Sequence, residues 1–382
     1  SYTYVTFGRF PAWVVGSFSA IGYFLGAVSV AVGWSGYFSD LLNNFHLGLP
    51  EKFTLSTGTE YNVDGQPSYA IFDIPAFAIS FISTLILYRG VALSSMITSF
   101  SVIIKLFVLL CFVSVGVFYI DTNNWIPYIP QNTGKFGEYG ISGIITGVSM
   151  VFLAFNGFDS ICTSAQEVKN PRKNIPLGII ITIITVTIIY VITSAVMTGL
   201  VSYKELNVPQ ALAIAVNKIG LPWLNYVVKF GAVAGLSSVI IVSQYTVIRM
   251  LLVMAEDKLL PSIFARVHSK NKTPHIITLV IGISMSFIAA TTNLQNIVKL
   301  SSFFILLTLV IICISTIVMR YTKPELNRGF YCPLMPATPI IAILLATYIM
   351  SSYPIQIYIN ACMVLIILTF LYFIQRKLNT RK

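Results

Sequence analysis

The sequence predicts an all-α polytopic membrane protein, and three observations support that prediction. Of the 382 residues, 56% are hydrophobic and only 10% are charged, whereas a water-soluble domain carries roughly a quarter charged residues. Apolar runs of about 20 residues recur along the chain, and a run of that length crosses a bilayer as a helix. The cationic residues fall in short clusters between these runs. We therefore expect residues 1–382 to form a single membrane domain.

Ten apolar runs are predicted to be transmembrane helices. In chain order the predicted spans are Trp13–Tyr37, Tyr69–Leu87, Ser95–Ile120, Ile141–Ala165, Leu177–Val201, Trp223–Val247, Pro274–Ala290, Ile297–Met319, Thr338–Ser351 and Ile357–Ile374. The outer loop from Ser39 to Ser68 is interpreted as a solvated spacer. The amphipathic segment Pro209–Leu221 is compatible with a short helix along the outer surface, although nothing in it requires one.

The distribution of Lys and Arg predicts the orientation of these helices. If residue 1 is cytoplasmic, 17 of the 24 cationic residues fall in cytoplasmic segments, four in outer segments and three within or near spans. Cytoplasmic loops carry an excess of Lys and Arg. Both termini are therefore predicted to be cytoplasmic, in the plasma (inner) membrane.

Several function classes are not indicated by the sequence. The net charge of +11 does not predict nucleic-acid binding, because no basic run is interleaved with aromatic residues. The five cysteines form no CxxC pair and the three histidines lie in connecting segments, so neither a metal site nor another cofactor is expected. No catalytic triad or phosphate-binding loop indicates an enzyme. A channel would line its pore with repeated rings of charge or carbonyls, and no such repeat occurs.

The stretch Met150–Pro176 contains the strongest candidate for a site. It begins as an apolar run and is interrupted at Phe155–Asp159. Lipid cannot satisfy a freed backbone group, so a broken membrane helix is tolerated only beside a protein-lined or watery cavity, and such breaks bind substrates in transporters. The alternative is an unbroken helix that tolerates Gly157, and the pattern alone favours neither interpretation.

Polar residues inside the predicted spans add further candidates. Lys105 lies about 15–22 Å from either end of its span, too deep for its side chain to reach water, and an intramembrane ionisable residue predicts a function. Asp159 is interpreted as the cap of a second half-helix, in preference to a proton-transfer group. Ser237 and Ser238 lie among small residues and, taken alone, predict a packing face.

The position of the break predicts that two spans precede residue 1. Inverted-repeat transporters carry broken helices at corresponding positions of two halves, and the commonest form opens each half with one. Here the break falls in the fourth span, so its partner is expected two spans before Ser1.

Several segments resemble the amino acid–polyamine–organocation superfamily, specifically its cationic amino acid transporter branch. The run AFNGFDSICTSAQEVKNPRKNIPLGI resembles the sixth-helix motif of that branch, and SVIIKLFVLL resembles its fifth helix. GAVSVAVGWSGY and IPAFAISFISTLILYRG resemble the third and fourth helices, and GAVAGLSSVIIVSQYTVIRM resembles the eighth. The resemblance implies a twelve-helix fold of five-plus-five inverted repeats, of which this chain supplies helices three to twelve.

The resemblance also implies roles for individual residues. The backbone carbonyls of the interrupted segment would bind the ammonium group of an amino acid substrate, and Lys105 would fill the place of a sodium ion in sodium-coupled relatives. Ser237 and Ser238 would face that site and take part in proton coupling. The candidate substrate-binding residues are Phe152, Leu153, Ala154, Phe155, Asn156 and Gly157.

Two positions depart from the pattern of the branch. The third helix normally carries an acidic residue in a pattern like LILEY, and here Gly22 stands in the acidic place of Ser19–Tyr23. Lys105 then lacks one candidate counter-charge, which weakens the case for proton coupling and for cationic substrates. Asn156 replaces a branched apolar residue, so its amide would lie beside the pocket.

The predicted function is amino acid transport by alternating access, proton-coupled or sodium-independent. The helix with the break would move against a scaffold that includes the first and sixth spans. Because the glycine-rich helix that binds the substrate carboxylate is not in this chain, we expect the chain alone not to transport. The alternative is a non-transporting remnant, or one half of a split permease that needs a separate N-terminal fragment.

Overall fold

The computed structural model describes residues 2–63, 66–155, 157, 169–208, 210–268, 273–325 and 331–379. Within these ranges most residues are helical, and the all-α class is confirmed. The α-helices are α1 (Tyr2–Phe7), α2 (Arg9–Asn44), α3 (Ile74–Arg89), α4 (Val91–Gly116), α5 (Gly140–Val151), α6 (Pro171–Leu200), α7 (Ala211–Ile219), α8 (Pro222–Glu256), α9 (His275–Thr291), α10 (Leu294–Thr322), α11 (Ala337–Ser351) and α12 (Ile355–Asn379).

Each of the ten predicted spans overlaps one of these helices. Helix α5 covers only the first part of the predicted span Ile141–Ala165, and residues 158–165 of that span lie outside the described residues. Among the described residues, α2, α4, α6, α8, α10 and α12 are long and apolar enough to cross a membrane. The apolar helices α3, α5, α9 and α11 have between 12 and 17 residues. The amphipathic segment before α8 also forms a helix, α7, which buries Ala213, Ala215 and Val216.

The loop after α2, which the sequence predicts to be on the outer side, contains a β-hairpin that hydropathy does not predict. Strands β1 (Glu60–Val63) and β2 (Gln66–Tyr69) pair antiparallel, with Glu60 opposite Tyr69 and Val63 opposite Gln66. Residues 64 and 65, an Asp-Gly pair of the kind favoured in two-residue hairpin turns, lie outside the described residues. The predicted spacer therefore carries a small folded element.

Helices α2, α3, α8 and α9 pack around small side chains, and we call these four helices the scaffold. In a membrane, small residues let helices approach closely and gain van der Waals contact. The fully or largely buried residues of this contact are Ala27, Val28, Ala31, Trp34, Ala76, Ile79, Ile240, Met285 and Ala289. A second cluster joins α2 and α10 to α11 and α12 around Trp13, Phe18, Phe303, Phe304 and Met350.

Hydrogen bonds fasten the start of α2 to the turn that follows α8. The Arg9 guanidinium donates to the Lys258 carbonyl at 2.6 Å, and the Trp13 indole donates to the Leu259 carbonyl at 3.0 Å. Carbonyls beyond a helix C-terminus lack partners within the helix. These two side chains therefore stabilise the end of α8 and hold it against α2.

A buried ion pair joins the opposite ends of the same two helices. Lys229 on α8, whose side chain is 1% exposed, places its Nζ 2.8 Å from Asp40 Oδ2 and donates to Asn44 Oδ1 at 3.1 Å. Asp40 and Asn44 lie beyond Tyr37, where the hydropathy pattern ends. The polar contacts with Lys229 explain why α2 continues as a helix past its predicted end.

A buried polar network connects α3, α8 and α9 within the scaffold. Ser83 donates to the Gln244 amide oxygen at 2.7 Å, and the Gln244 amide nitrogen donates to Thr84 Oγ1 at 2.8 Å. Gly282 on α9 lies directly against Thr84, and a Cβ at this position would overlap that side chain. Both the oxygen and the nitrogen of the Gln244 amide therefore have hydrogen-bond partners, as a buried amide requires.

Candidate functional site

Helix α5 ends before the predicted interruption at Phe155–Asp159, of which the structure describes Phe155 and Gly157. We call the segment from Phe152 to Gly157 the interruption; residues 158–168, where the helix was predicted to resume, lie outside the described part of the chain. Helix α5 ends at Val151, a short 3-10 helix follows over Phe152–Phe155, and Gly157 has a φ of 113°. That value is one that glycine adopts readily and other residues rarely do. The chain therefore departs from α-helical geometry before Phe155, whereas the predicted start was Phe155 itself.

A cavity of about 420 Å³ lies beside this interruption. Helices α4, α6 and α8 form its other walls, and Tyr23 of α2 also contributes. Its lining residues are Tyr23, Thr98, Val102, Lys105, Ala154, Phe155, Gly157, Thr182, Ile183, Val186, Tyr190, Ser238, Val239, Val242, Ser243 and Thr246. The volume is within the range of pockets that bind small molecules.

The cavity brings together five of the nine candidate residues. Lys105 from α4, Ser238 from α8, and Ala154, Phe155 and Gly157 from the interrupted segment all line it. Lys105, the interrupted segment and Ser238 are far apart in the sequence, so their common position is a property of the fold. Their roles in binding and coupling stay predictions.

Ser237 and Phe152 occupy other positions. The Ser237 hydroxyl accepts from the Trp34 indole at 2.9 Å and donates to the Val233 carbonyl at 2.7 Å, inside the scaffold. Phe152 packs against the aromatic cluster around Phe304. Neither residue is among those that line the cavity.

Three further sequence-based candidates are described in part or not at all. Leu153 lies in the 3-10 helix, but its side chain is outside the described part of the chain. Asn156 and Asp159 lie entirely outside the described residues.

Two glycines on α8 allow α4 to bring Lys105 into the cavity. A Cβ on Gly235 would lie 3.2 Å from Lys105 Cβ, and a Cβ on Gly231 would overlap Val108. Glycines four residues apart on one helix face permit such close approach. Within the described ranges, Lys105 forms no ion pair, and the ion pairs there join Lys229 to Asp40 and Lys135 to Glu138.

The backbone carbonyl of Ala154 has a hydrogen-bond partner that the sequence did not suggest. Tyr190 on α6 donates its hydroxyl to this carbonyl at 2.8 Å. The Phe155 ring contacts the Tyr190 ring edge to face, with centroids 5.3 Å apart. The carbonyl expected to receive a substrate ammonium group is therefore already bonded to a side chain.

Sequence reasoning missed most of the hydroxyl residues of the cavity. Ser238 and Thr246 are eight residues apart on α8, a spacing that puts both on the same side of the helix. This spacing was a signal in the sequence that Thr246 lies on the same wall as Ser238. Tyr190 gave no such signal, because a single tyrosine in an apolar helix is equally typical of a membrane-interface position.

Gly22 faces a different helix from the one that carries Lys105. A Cβ at Gly22 would lie 2.8 Å from Ile305 Cγ1, and the Gly22 carbonyl accepts from Ser301 at 2.7 Å. The position expected to hold a counter-charge for Lys105 therefore packs against α10. The neighbouring Tyr23 is the residue that reaches the cavity.

The cavity wall combines one cation, several hydroxyl groups and apolar side chains. None of the described residues that line it is acidic. The described part of the chain also contains no group of three or more His, Cys, Asp or Glu residues arranged to hold a metal ion. The arrangement suits a small polar molecule with an apolar portion.

Comparison with known proteins identifies the family of the chain. A model of the amino acid permease family matches residues 1–380. The chain is 33% identical over 353 residues to the branched-chain amino acid permease BcaP of Bacillus subtilis (strain 168), covering 92% of this chain and 73% of that protein.

Two further relatives bear other names. The methylthioribose transporter of Bacillus subtilis (strain 168) is 33% identical over 374 residues, which are 98% of this chain and 78% of that protein. The human cationic amino acid transporter 4 is 30% identical over 329 residues, or 84% of this chain and 49% of that protein. These transporters favour transport over the non-transporting alternative and over an enzyme. The chain belongs to the amino acid permease family, and its function is amino acid transport across a membrane.

Proposed function

We propose that this permease carries a neutral amino acid with an apolar side chain, and that Lys105 couples its transport to protons. The substrate would bind in the cavity beside the interrupted helix, and residues 1–382 would act as one transporter domain. The observation that carries the proposal is the wall of this cavity, which places backbone carbonyls, hydroxyls and one lysine next to apolar side chains.

The apolar part of the wall supports the choice of side chain. Val102, Ile183, Val186, Val239 and Val242 line the cavity, and its described lining contains no carboxylate. A cationic side chain buried there would lack a counter-charge, which is costly in a medium of low dielectric constant. One relative is named a branched-chain amino acid permease, and the wall is consistent with that class of substrate.

Lys105 supports the coupling proposal through its place in the cavity. It lies on a long apolar helix, close against Gly235, with no ion-pair partner among the described residues. An ammonium group in that setting is costly unless a ligand or water compensates for its charge. Its protonation would therefore depend on whether the cavity is open to water or closed around the substrate.

The substrate class is tested by uptake into liposomes that contain the full-length protein. Labelled leucine, arginine and methylthioribose are offered separately, with and without an inward proton gradient. We expect saturable uptake of leucine that the proton gradient increases. Faster uptake of arginine or methylthioribose than of leucine would contradict the proposed substrate.

The role of Lys105 is tested with Lys105→Ala, and Lys218→Ala on the exposed face of α7 serves as the matched control. We expect the Lys105 variant to lose the stimulation by a proton gradient, with proton-driven uptake reduced about tenfold, which corresponds to about 1.4 kcal/mol. The control should keep its pH profile. An unchanged pH profile in the Lys105 variant would assign that residue a structural role.

The location and the contact with the substrate carboxylate are further parts of the proposal. We propose the plasma membrane as the location, with both termini cytoplasmic, on the basis of the Lys and Arg distribution. A separate N-terminal segment would bind the substrate carboxylate. Labelling of cysteines introduced at both ends in intact and opened cells tests the orientation. Co-expression of this chain with such a segment tests the second part.

A further inference from the structure

We propose that the Tyr190 hydroxyl stands in for the substrate's ammonium group when the transporter is empty, and that the substrate displaces it on binding. The inference rests on the proposed function, because it concerns the same cavity and the same Ala154 carbonyl. It adds a specific step to transport, an exchange of hydrogen-bond donors on one backbone oxygen.

The geometry places donor and acceptor in direct contact. Tyr190 Oη donates to the Ala154 oxygen at 2.8 Å, and both residues line the cavity. Ala154 lies in the last turn of the 3-10 helix, and the last carbonyls of a helix are generally satisfied by groups from outside it. Among the described side chains, the Tyr190 hydroxyl is such a group. The Phe155 ring packs against the Tyr190 ring and holds it beside this carbonyl.

The membrane environment explains why an empty carrier needs such a donor. In this structure Tyr190 is 38% exposed, but the cavity must close without a substrate when the empty carrier returns. A carbonyl without a partner costs several kcal/mol once the closed site excludes water. The Tyr190 hydroxyl satisfies the carbonyl in that state. A substrate ammonium forms a charge-assisted bond that is roughly twice as strong as a neutral one, so the substrate displaces the hydroxyl.

This competition has two consequences for transport. The apparent affinity for substrate is lower than the intrinsic affinity, because part of the binding energy is used to displace Tyr190. The return of the empty carrier is faster than it would be with an unsatisfied carbonyl. Net uptake needs that return step, whereas exchange of internal for external substrate does not.

The test uses Tyr190→Phe, which removes the hydroxyl and keeps the ring that packs on Phe155. With labelled leucine, we expect the Kd to fall about fivefold, an effect of the size that one net hydrogen bond contributes. Net uptake should fall while leucine–leucine exchange stays close to that of the parent protein. Weaker binding, or an equal fall in net uptake and exchange, would overturn the inference.

Tyr353→Phe is the matched control. Tyr353 also donates its hydroxyl to a carbonyl of the interrupted region, that of Ser149 at 2.9 Å, but it does not line the cavity. This variant should bind leucine with the parent affinity and keep the parent ratio of net uptake to exchange. A similar gain of affinity in this control would show that loosening of α5 explains the effect, and would overturn the inference.

A substrate analogue provides a second measurement that does not depend on transport rates. 4-Methylpentanoate has the side chain and carboxylate of leucine but no ammonium group, so it has no donor for the Ala154 carbonyl. Its competition with labelled leucine for the parent protein should be weak, and Tyr190→Phe should not strengthen its own binding. A fivefold gain for the analogue as well would overturn the inference. Failure of leucine to bind the parent protein would overturn the proposed function together with it.

Discussion

The scaffold and the region around the interrupted helix differ in how their residues are held. In the most apolar 18-residue stretch of α2, 67% of the residues are buried, whereas none is buried in that of α6, whose residues Lys173–Leu200 are described throughout. The scaffold also contains a buried ion pair and a satisfied amide network. Among the described residues, the end of α5 and the segment after it receive hydrogen bonds from the side chains of Tyr190 and Tyr353, at the carbonyls of Ala154 and Ser149.

This difference separates two uses of polar groups in one membrane protein. In the scaffold, polar side chains bond to one another and fix the spacing of the helices. Around the interruption, a side chain bonds to a backbone carbonyl, and we propose that the substrate ammonium group replaces it there. Regions that change state during function are drawn from the less stable part of a structure. Because α5 and α6 are less buried than the scaffold, we expect these two helices to be the part that moves.

The strongest test of the contrast is Gly282→Val in the scaffold. The added side chain would overlap Thr84 and separate it from Gln244. We expect a loss of about 4 kcal/mol, from overpacking and a broken buried hydrogen bond together. The control is Gly178→Val on α6, where a new Cβ meets no atom within 4 Å. Thermal unfolding in detergent should show a large difference between the two variants. Equal losses would show that the scaffold is not the more tightly packed region.

A smaller effect is expected from Lys229→Met. The change leaves Asp40 without its cation, and because 27% of that carboxylate is exposed we expect the low end of the range for broken buried pairs, about 3 kcal/mol. Lys135→Met removes an exposed pair with Glu138 and should have almost no effect. Unfolding of the double variant Lys229→Met/Asp40→Leu checks the cause. It should be more stable than Lys229→Met alone, since no charge is left unpaired.

The smallest effect distinguishes two neighbouring serines. Ser237→Ala removes an acceptor of the Trp34 indole and should lower stability by about 1 kcal/mol while the KM for substrate stays unchanged. Ser238→Ala changes the cavity wall and should alter the KM or the pH profile. Uptake kinetics and unfolding are measured on both variants. The assignment would be wrong if Ser237→Ala changed the KM and Ser238→Ala did not.

The helices were largely predictable from the sequence because lipid requires long apolar runs. Their ends were less predictable, since Asp40 and Asn44 are polar and contact Lys229 of a distant helix. Those contacts are 185 residues or more apart in the chain and leave no local pattern.

The site was predictable where a residue breaks a local rule. Lys105 is a charge in an apolar helix, and Gly157 lies with polar neighbours inside an apolar run, so both stood out in the sequence. The different positions of Ser237 and Ser238 did not, because successive residues on a helix point about 100° apart and the rotation of α8 is set by its neighbours. Tyr190 was missed for a similar reason, since its partner is a backbone carbonyl and backbone groups carry no sequence signal.

The two fastenings between α2 and α8 have a consequence for how motion in this protein is measured. Arg9 and Trp13 hold one end of α8, and Asp40 holds Lys229 near the other. A tilt of one helix against the other would break contacts at one end or both. We therefore expect α2 and α8 to move together as one rigid body. Distances from probes on α2 or α8 to probes on α5 would therefore report displacement of the interrupted helix alone.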